Sequence, residues 1–280
     1  MKVLSNVLAI LSISAVLAGC ASANRASTGE EHWHLVWSDE FNYEGAPDPG
    51  KWTYELGFVR NDEMQYYTKN RQNVRVYNGC LLIEAVEEKV NNERHVPGST
   101  KPHEAARATV TSASVMTKNR AAWRYGRIEV RAKIPTGQGT WPAIWMLGTG
   151  GKWPDDGEID IMENVGKEPD GIHANAHFFD PAKKKHGQRG GSFKADKPWE
   201  DFHIYAMEWD DKKIDFFYDD QKYHTFDLAA ADTPEGNPFR KDFYLLINLA
   251  IGGSWGGKLG KDTLPARYYI DYVRVFERTQ

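Results

Sequence analysis

From Trp33 onward the chain is a series of short runs in which apolar and polar residues alternate, separated by turn clusters. Arg127-Ile128-Glu129-Val130-Arg131-Ala132-Lys133-Ile134 is the clearest, with charges on one face and aliphatic side chains on the other. Successive side chains of a strand point to opposite faces, so a period of two predicts a half-buried strand. Gly79–Val86, Thr109–Met116, Glu158–Glu163, His173–Phe179, His203–Trp209, Lys213–Tyr218, Phe243–Ala250 and Tyr268–Glu277 are further β-like runs, several of them alternating. Helical periodicity never persists; Asp227–Asp232 suits one short turn at most. No repeat or linker divides Trp33 from Gln280. Many short strands and little helix predict an all-β fold, an antiparallel β-sandwich in one domain.

The first residues read as an address. Met1-Lys2 is a short basic region, and Val3 to Leu17 is an almost unbroken apolar run, too short to span a bilayer comfortably. It ends in Leu17-Ala18-Gly19-Cys20, which resembles the lipobox of bacterial lipoproteins, where the Cys is lipidated and becomes the first mature residue. The expected division is a lipoprotein signal peptide over 1–19, a flexible tether over 20–31 and the folded domain over 32–280. Such a protein would be exported and anchored by lipid in the bacterial cell envelope.

Composition excludes some functions. A net charge of -4 over 280 residues offers no clustered basic face for nucleic acid. Lys183-Lys184-Lys185 is the one sharp basic run and reads as a solvated loop. The two cysteines give no disulfide once Cys20 is acylated, and Cys80, at the start of a strand, reads as a buried structural thiol. The roughly 250 residues after the leader can bury a core without staples, and a monomer is expected. Ten Trp, thirteen Tyr and twelve Phe suit a packed core, and equally a cleft whose flat rings stack on sugars.

The chemistry concentrates in Gly157-Glu158-Ile159-Asp160-Ile161-Met162-Glu163. Glu158 and Asp160 share a strand face, whereas Glu163, five residues from Glu158, would point the other way in a regular strand. One β-bulge at Ile161-Met162 would return it to the acidic face. Paired carboxylates are what glycoside hydrolysis requires. A separation of about 5–5.5 Å gives retention of configuration, and a wider gap holding water gives inversion. His173 and His177 stand four apart, but in a strand-like run without the Glu of a zincin helix.

This segment resembles the signature of glycoside hydrolase family 16. Similar likeness extends over Trp37-Ser38-Asp39-Glu40-Phe41, Asn61 to Thr68, Tyr125 to Arg131, Gly139 to Leu147, Gly252-Gly253-Ser254-Trp255 and Tyr269 to Arg274. Together these look like the laminarinase-like branch. The resemblance implies a jelly-roll sandwich with a concave substrate cleft, and endo-cleavage of β-1,3-glucan and mixed-linkage β-1,3/1,4-glucan. It implies Glu158 as nucleophile and Glu163 as acid/base, with Asp160 between them helping to keep Glu163 protonated. It places Asn61, Glu129, Arg131, Trp141, Trp145, His177 and Trp255 in the cleft. For Glu129 and Arg131 a cross-strand ion pair competes, for His177 a plain packed side chain, and any one of the Trp residues could be core. Asp271 with the backbone oxygens of Glu40 and Gly79 resembles a structural calcium site; no cofactor is expected for catalysis. The alternatives are the same chemistry on agar, carrageenan or β-galactan, and a non-catalytic glycan-binding lipoprotein, which would have no need of three carboxylates.

The anchor has a direct check. Cys20→Ser should abolish acylation and move the protein from the detergent phase to the aqueous phase on partitioning, with hydrolytic activity kept. Detergent partitioning like that of the wild type would remove the lipobox reading.

Overall fold

The computed structural model describes residues 33–279, which lie in one compact unit that runs to Gln280. The expected signal peptide, Cys20 and the expected tether lie outside the described residues. In chain order the first strands are β1 (Trp33–Asp39), β2 (Thr53–Glu55), β3 (Gln65–Tyr67), β4 (Val74–Tyr77), β5 (Cys80–Asn91) and β6 (Arg107–Ser112). Then come β7 (Ser114–Met116), β8 (Gly126–Lys133), β9 (Thr140–Gly148), β10 (Glu158–Val165), β11 (Glu168–Asp180) and β12 (Lys185–Lys194). The last are β13 (His203–Trp209), β14 (Lys213–Tyr218), β15 (Gln221–Asp227), β16 (Phe243–Ile251) and β17 (Ala266–Arg278).

They form two sheets. One has ten strands, with the order β15-β14-β13-β8-β17-β5-β6-β3 and with β1 and β4 attached at β17 and β5. The other has seven, in the order β12-β11-β10-β9-β16-β7-β2. All pairings are antiparallel except β3 with β6. The alternation seen in sequence decides what lies between the sheets. Ile128, Val130 and Ala132 of β8 meet the core, as do Ile144 and Met146 of β9, Ala174, Ala176 and Phe178 of β11, and Leu245, Ile247 and Leu249 of β16. The intervening residues of the seven-stranded sheet face outward, and there they line a cleft.

Some boundaries differ from the sequence reading. Thr109–Met116 is two strands, because the chain passes from one sheet to the other at the fully buried Ala113. Lys185 is not loop but opens β12. There the glycines serve close approach: a Cβ on Gly191 would come within 2.6 Å of the His224 ring from the other sheet. Asp227–Asp232 does supply one turn, a 3-10 helix over Leu228–Ala231 capped by the Asp227 carboxylate. Cys80 is only half-buried. No helix of the described residues is long and apolar enough to cross a membrane.

The expected bulge is present. Against β9, Asp160 pairs with Trp145 and Met162 with Ile144, so Ile161 is the extra residue. Against β11 the same offset appears, with Asp160 opposite Asn175 and Glu163 opposite His173. Ile161 and Met162 both turn into the core with no exposed surface. Deleting Ile161 should therefore leave a regular strand whose acidic residues still share a face, and the variant should fold and hydrolyse substrate measurably. Deleting Ile161 and Met162 together would drive a carboxylate into the core and should prevent folding. A single-deletion variant with native circular dichroism but no activity would contradict the bulge argument.

Candidate active site

The cleft, of about 1030 Å³, lies on the outer face of the seven-stranded sheet. Gly157 leads into β10 at φ +79, where a Cβ would lie 2.9 Å from the Phe243 ring, so the turn into the acidic strand needs glycine. The strand then presents Glu158, Asp160 and Glu163 to the cleft. In register they stand opposite Leu147, Trp145 and Ala143 of β9. Glu158 and Glu163 are thus four positions apart along β9, about 13 Å at the backbone for regular strand rise.

Each carboxylate has its own partner. Trp153 Nε1 donates to Glu158 Oε2 at 2.6 Å, and Trp141 Nε1 to Glu163 Oε1 at 2.9 Å. His177 Nε2 lies 3.1 Å from Asp160 Oδ2. Asp160 is buried, while Glu158 and Glu163 keep part of their surface open to the cleft. Burial pushes Glu158 up to about 8, with the neighbouring Asp160 adding to the rise and His177 and Trp153 opposing it. Burial also pushes Asp160 up to about 7. Glu163 is driven well above the usual carboxylate range, by burial first and then by the charges of Asp160 and Glu158. Like charges so close cannot all ionise. Two groups oppose the rise at each Glu, His177 and Trp153 at Glu158 and Trp141 and His177 at Glu163, but only Glu163 meets two like charges. The crowding therefore favours a retained proton at Glu163.

Around this trio the aromatic residues make the walls. Trp141 and Trp255 meet edge to face at 5.5 Å, and Trp255 also packs on His173 at 5.0 Å. Trp145 forms floor: its Nε1 donates to Asn248 Oδ1 at 2.7 Å and the Arg60 guanidinium covers its ring at 4.7 Å. Asn61 lines the same cleft and donates to Glu63 at 3.3 Å.

Among the expected cleft residues, Asn61, Trp141, Trp145, His177 and Trp255 are there. Glu129 and Arg131 are not. They stand on β8 of the ten-stranded sheet, on its face away from the core, which corrects the cleft assignment. Arg131 is paired with Asp271 of β17 at 2.6 Å, the cross-strand ion pair that competed, whereas Glu129 is paired with Arg127 of its own strand at 2.7 Å. The sequence reading also passed over Arg60, Trp153 and His186, all in the cleft. Trp153 could have been found, since Trp153-Pro154 precedes the acidic strand by a short turn. His186 sits in a run that reads as loop and gave no signal.

At the expected calcium position, Asp271 Oδ2 is bonded to Arg131 and the Glu40 carboxylate is held by Arg274 at 2.8 and 2.9 Å. One Asp271 oxygen and the main-chain oxygens of Glu40 and Gly79 are still hard donors of the kind calcium takes. Arg131 competes as a cation for Asp271, which stands on β17 of the ten-stranded sheet, whereas the carboxylate trio stands on β10 of the other.

A profile of the glycosyl hydrolases family 16 matches residues 61–274. The chain belongs to this family. It is 44% identical over 276 residues to a beta-glucanase of Rhodothermus marinus, covering 93% of this chain and 91% of that one. The laminarinase structure from Rhodothermus marinus superposes with a TM-score of 0.77 at 41% identity, covering 90% of this chain and 100% of that one. A structure from work on endo-acting O-glycanases with which human gut bacteria initiate mucin breakdown gives a TM-score of 0.83 at 39% identity, covering 88% and 91%. The family hydrolase fold is thus an antiparallel jelly-roll sandwich here as in these structures.

The raised carboxyls carry a stability cost with a definite sign. A folded-state value above the unfolded one favours the protonated fold, so this contribution is present below pH about 4.5 and is lost as pH rises through about 8 for Glu158. Glu158→Gln removes the ionisable group. Its melting temperature should match the wild type near pH 4 and exceed it near pH 9, by about 2–4 °C for each kcal/mol relieved. An advantage that grows toward acid would contradict the assigned shift.

Proposed function

We propose that the chain is an endo-acting, retaining hydrolase of β-1,3-glucan and mixed-linkage β-1,3/1,4-glucan. One observation carries it: Glu158, Asp160 and Glu163 share the face of a bulged strand in a Trp-lined cleft. The likeness to a beta-glucanase and a laminarinase supports the substrate. Glu158 attacks the anomeric carbon while Glu163 gives its proton to the departing glycosidic oxygen. The glycosyl group is then esterified to Glu158. Water enters, Glu163 takes its proton, and the ester is cleaved with a second inversion, so the configuration is retained. Asp160 touches the nucleophile and, with His177, holds the charge balance between the two Glu.

The cleft is half open to solvent rather than an enclosed cavity, which suits binding a chain along its length. A second substrate reading, a mucin-type glycan, is favoured by the O-glycanase structure. We also propose that the protein is lipid-anchored through Cys20 in a bacterial cell envelope, a monomer, with calcium at Glu40, Gly79 and Asp271 as a strut only.

Glu158→Ala and Glu163→Ala should fold and each lose most activity on laminarin, at least about 10³-fold, whereas Asp160→Asn should cost less. Near wild-type turnover in either Glu variant would end the assignment. Laminarin, lichenan, agarose, galactan and mucin glycopeptides, incubated in parallel and sized, separate the substrate readings: a ladder of oligosaccharides from mucin alone would replace glucan. Calcium returned to chelator-treated protein should raise the melting temperature and leave kcat unchanged, and no rise would remove the ion.

A further inference from the structure

Glu158, Asp160 and His177 each bring one ligand atom to a place where all three lie within 4.8 Å of one another. No other such group of His, Cys, Asp and Glu occurs among the described residues. Asp160 is only 2% exposed, and its Oδ2 has no hydrogen-bond partner. That oxygen is nevertheless 3.1 Å from His177 Nε2. With Glu158, these two atoms make up the group of three ligand atoms. The other nitrogen of the ring, Nδ1, is 2.9 Å from His186 Nε2, and the two rings stack at 5.1 Å. In the tautomer whose His177 Nδ1–H donates to His186 Nε2, His177 Nε2 presents a bare lone pair, as in a metal-binding imidazole braced from behind.

We propose that Glu158, Asp160 and His177 bind a zinc ion, which acts as an inhibitor by occupying the nucleophile. One imidazole and two carboxylates are donors that zinc takes readily, whereas calcium and magnesium favour oxygen alone. Tetrahedral ligands about 2.1 Å from the ion stand about 3.4 Å apart, a contraction that the long Glu158 side chain can make. The fourth position opens on the cleft, where water or the sugar would compete. Glu163 is not a ligand. His173 takes no part either, since it packs on Trp255 and faces Glu168 at 3.6 Å. Zinc is therefore held by His177 without the partner four residues away that the sequence offers.

Calorimetric titration of zinc chloride into the full chain tests this. Wild type should take up one zinc ion. His177→Asn should abolish that site, and His186→Phe should weaken it about 10–100-fold. Glu163→Gln, inactive but with all three ligands, should bind zinc like the wild type, which separates this proposal from the hydrolase reading. Undiminished zinc uptake by His177→Asn, loss of it in Glu163→Gln, or no stoichiometric binding at all would overturn the site. The inhibition rests on the proposed hydrolase activity: laminarin cleavage by wild type should fall in step with occupancy, and full turnover at saturating zinc would overturn that part.

Discussion

The chemistry of this protein hangs on one extra residue in a strand. Without a bulge the five-residue interval from Glu158 to Glu163 has the wrong parity, and one carboxylate must enter the core. With it, two consecutive aliphatic side chains, Ile161 and Met162, sink inward and the acidic face resumes. The bulge is held from both sides, by β9 and by β11, so it is fixed in the middle of the sheet rather than free at an edge. Here the bulge re-aims one side chain beside the cleft while pairing resumes on both flanks.

Gathering three carboxyls in a buried place costs stability, and the surroundings distribute that cost unevenly. Trp153 reaches over from a loop to bond Glu158, Trp141 bonds Glu163 from the adjacent strand, and His177 stands by Asp160. These neighbours are as much a part of the acid/base assignment as the carboxylates are. Two of these carboxylates, Glu158 and Asp160, stand with His177 in the cation site proposed above, because carboxylates and imidazole drawn to one point attract either a proton or a metal.

Much of this was legible in the sequence. Strands such as His203–Trp209 and Lys213–Tyr218 follow from alternation, since one face of each is buried. The bulge followed from parity alone. What failed did so for identifiable reasons. Glu129 and Arg131 alternate correctly, but alternation cannot say which of two sheets a strand joins, and β8 joins the one opposite the cleft. β12 was hidden because its glycines, placed for close approach to Asn175 and His224, resemble a loop. The His177–His186 contact crosses two adjacent strands, and only their register reveals it.

The central claim is that the bulged strand makes Glu158 the nucleophile. Incubation with a 2-deoxy-2-fluoro laminaribiosyl fluoride, followed by peptide mass spectrometry, tests it most directly, since the fluorine slows breakdown of a covalent glycosyl-enzyme. The sugar should be found esterified to Glu158. A label on Glu163 or Asp160 would contradict the account.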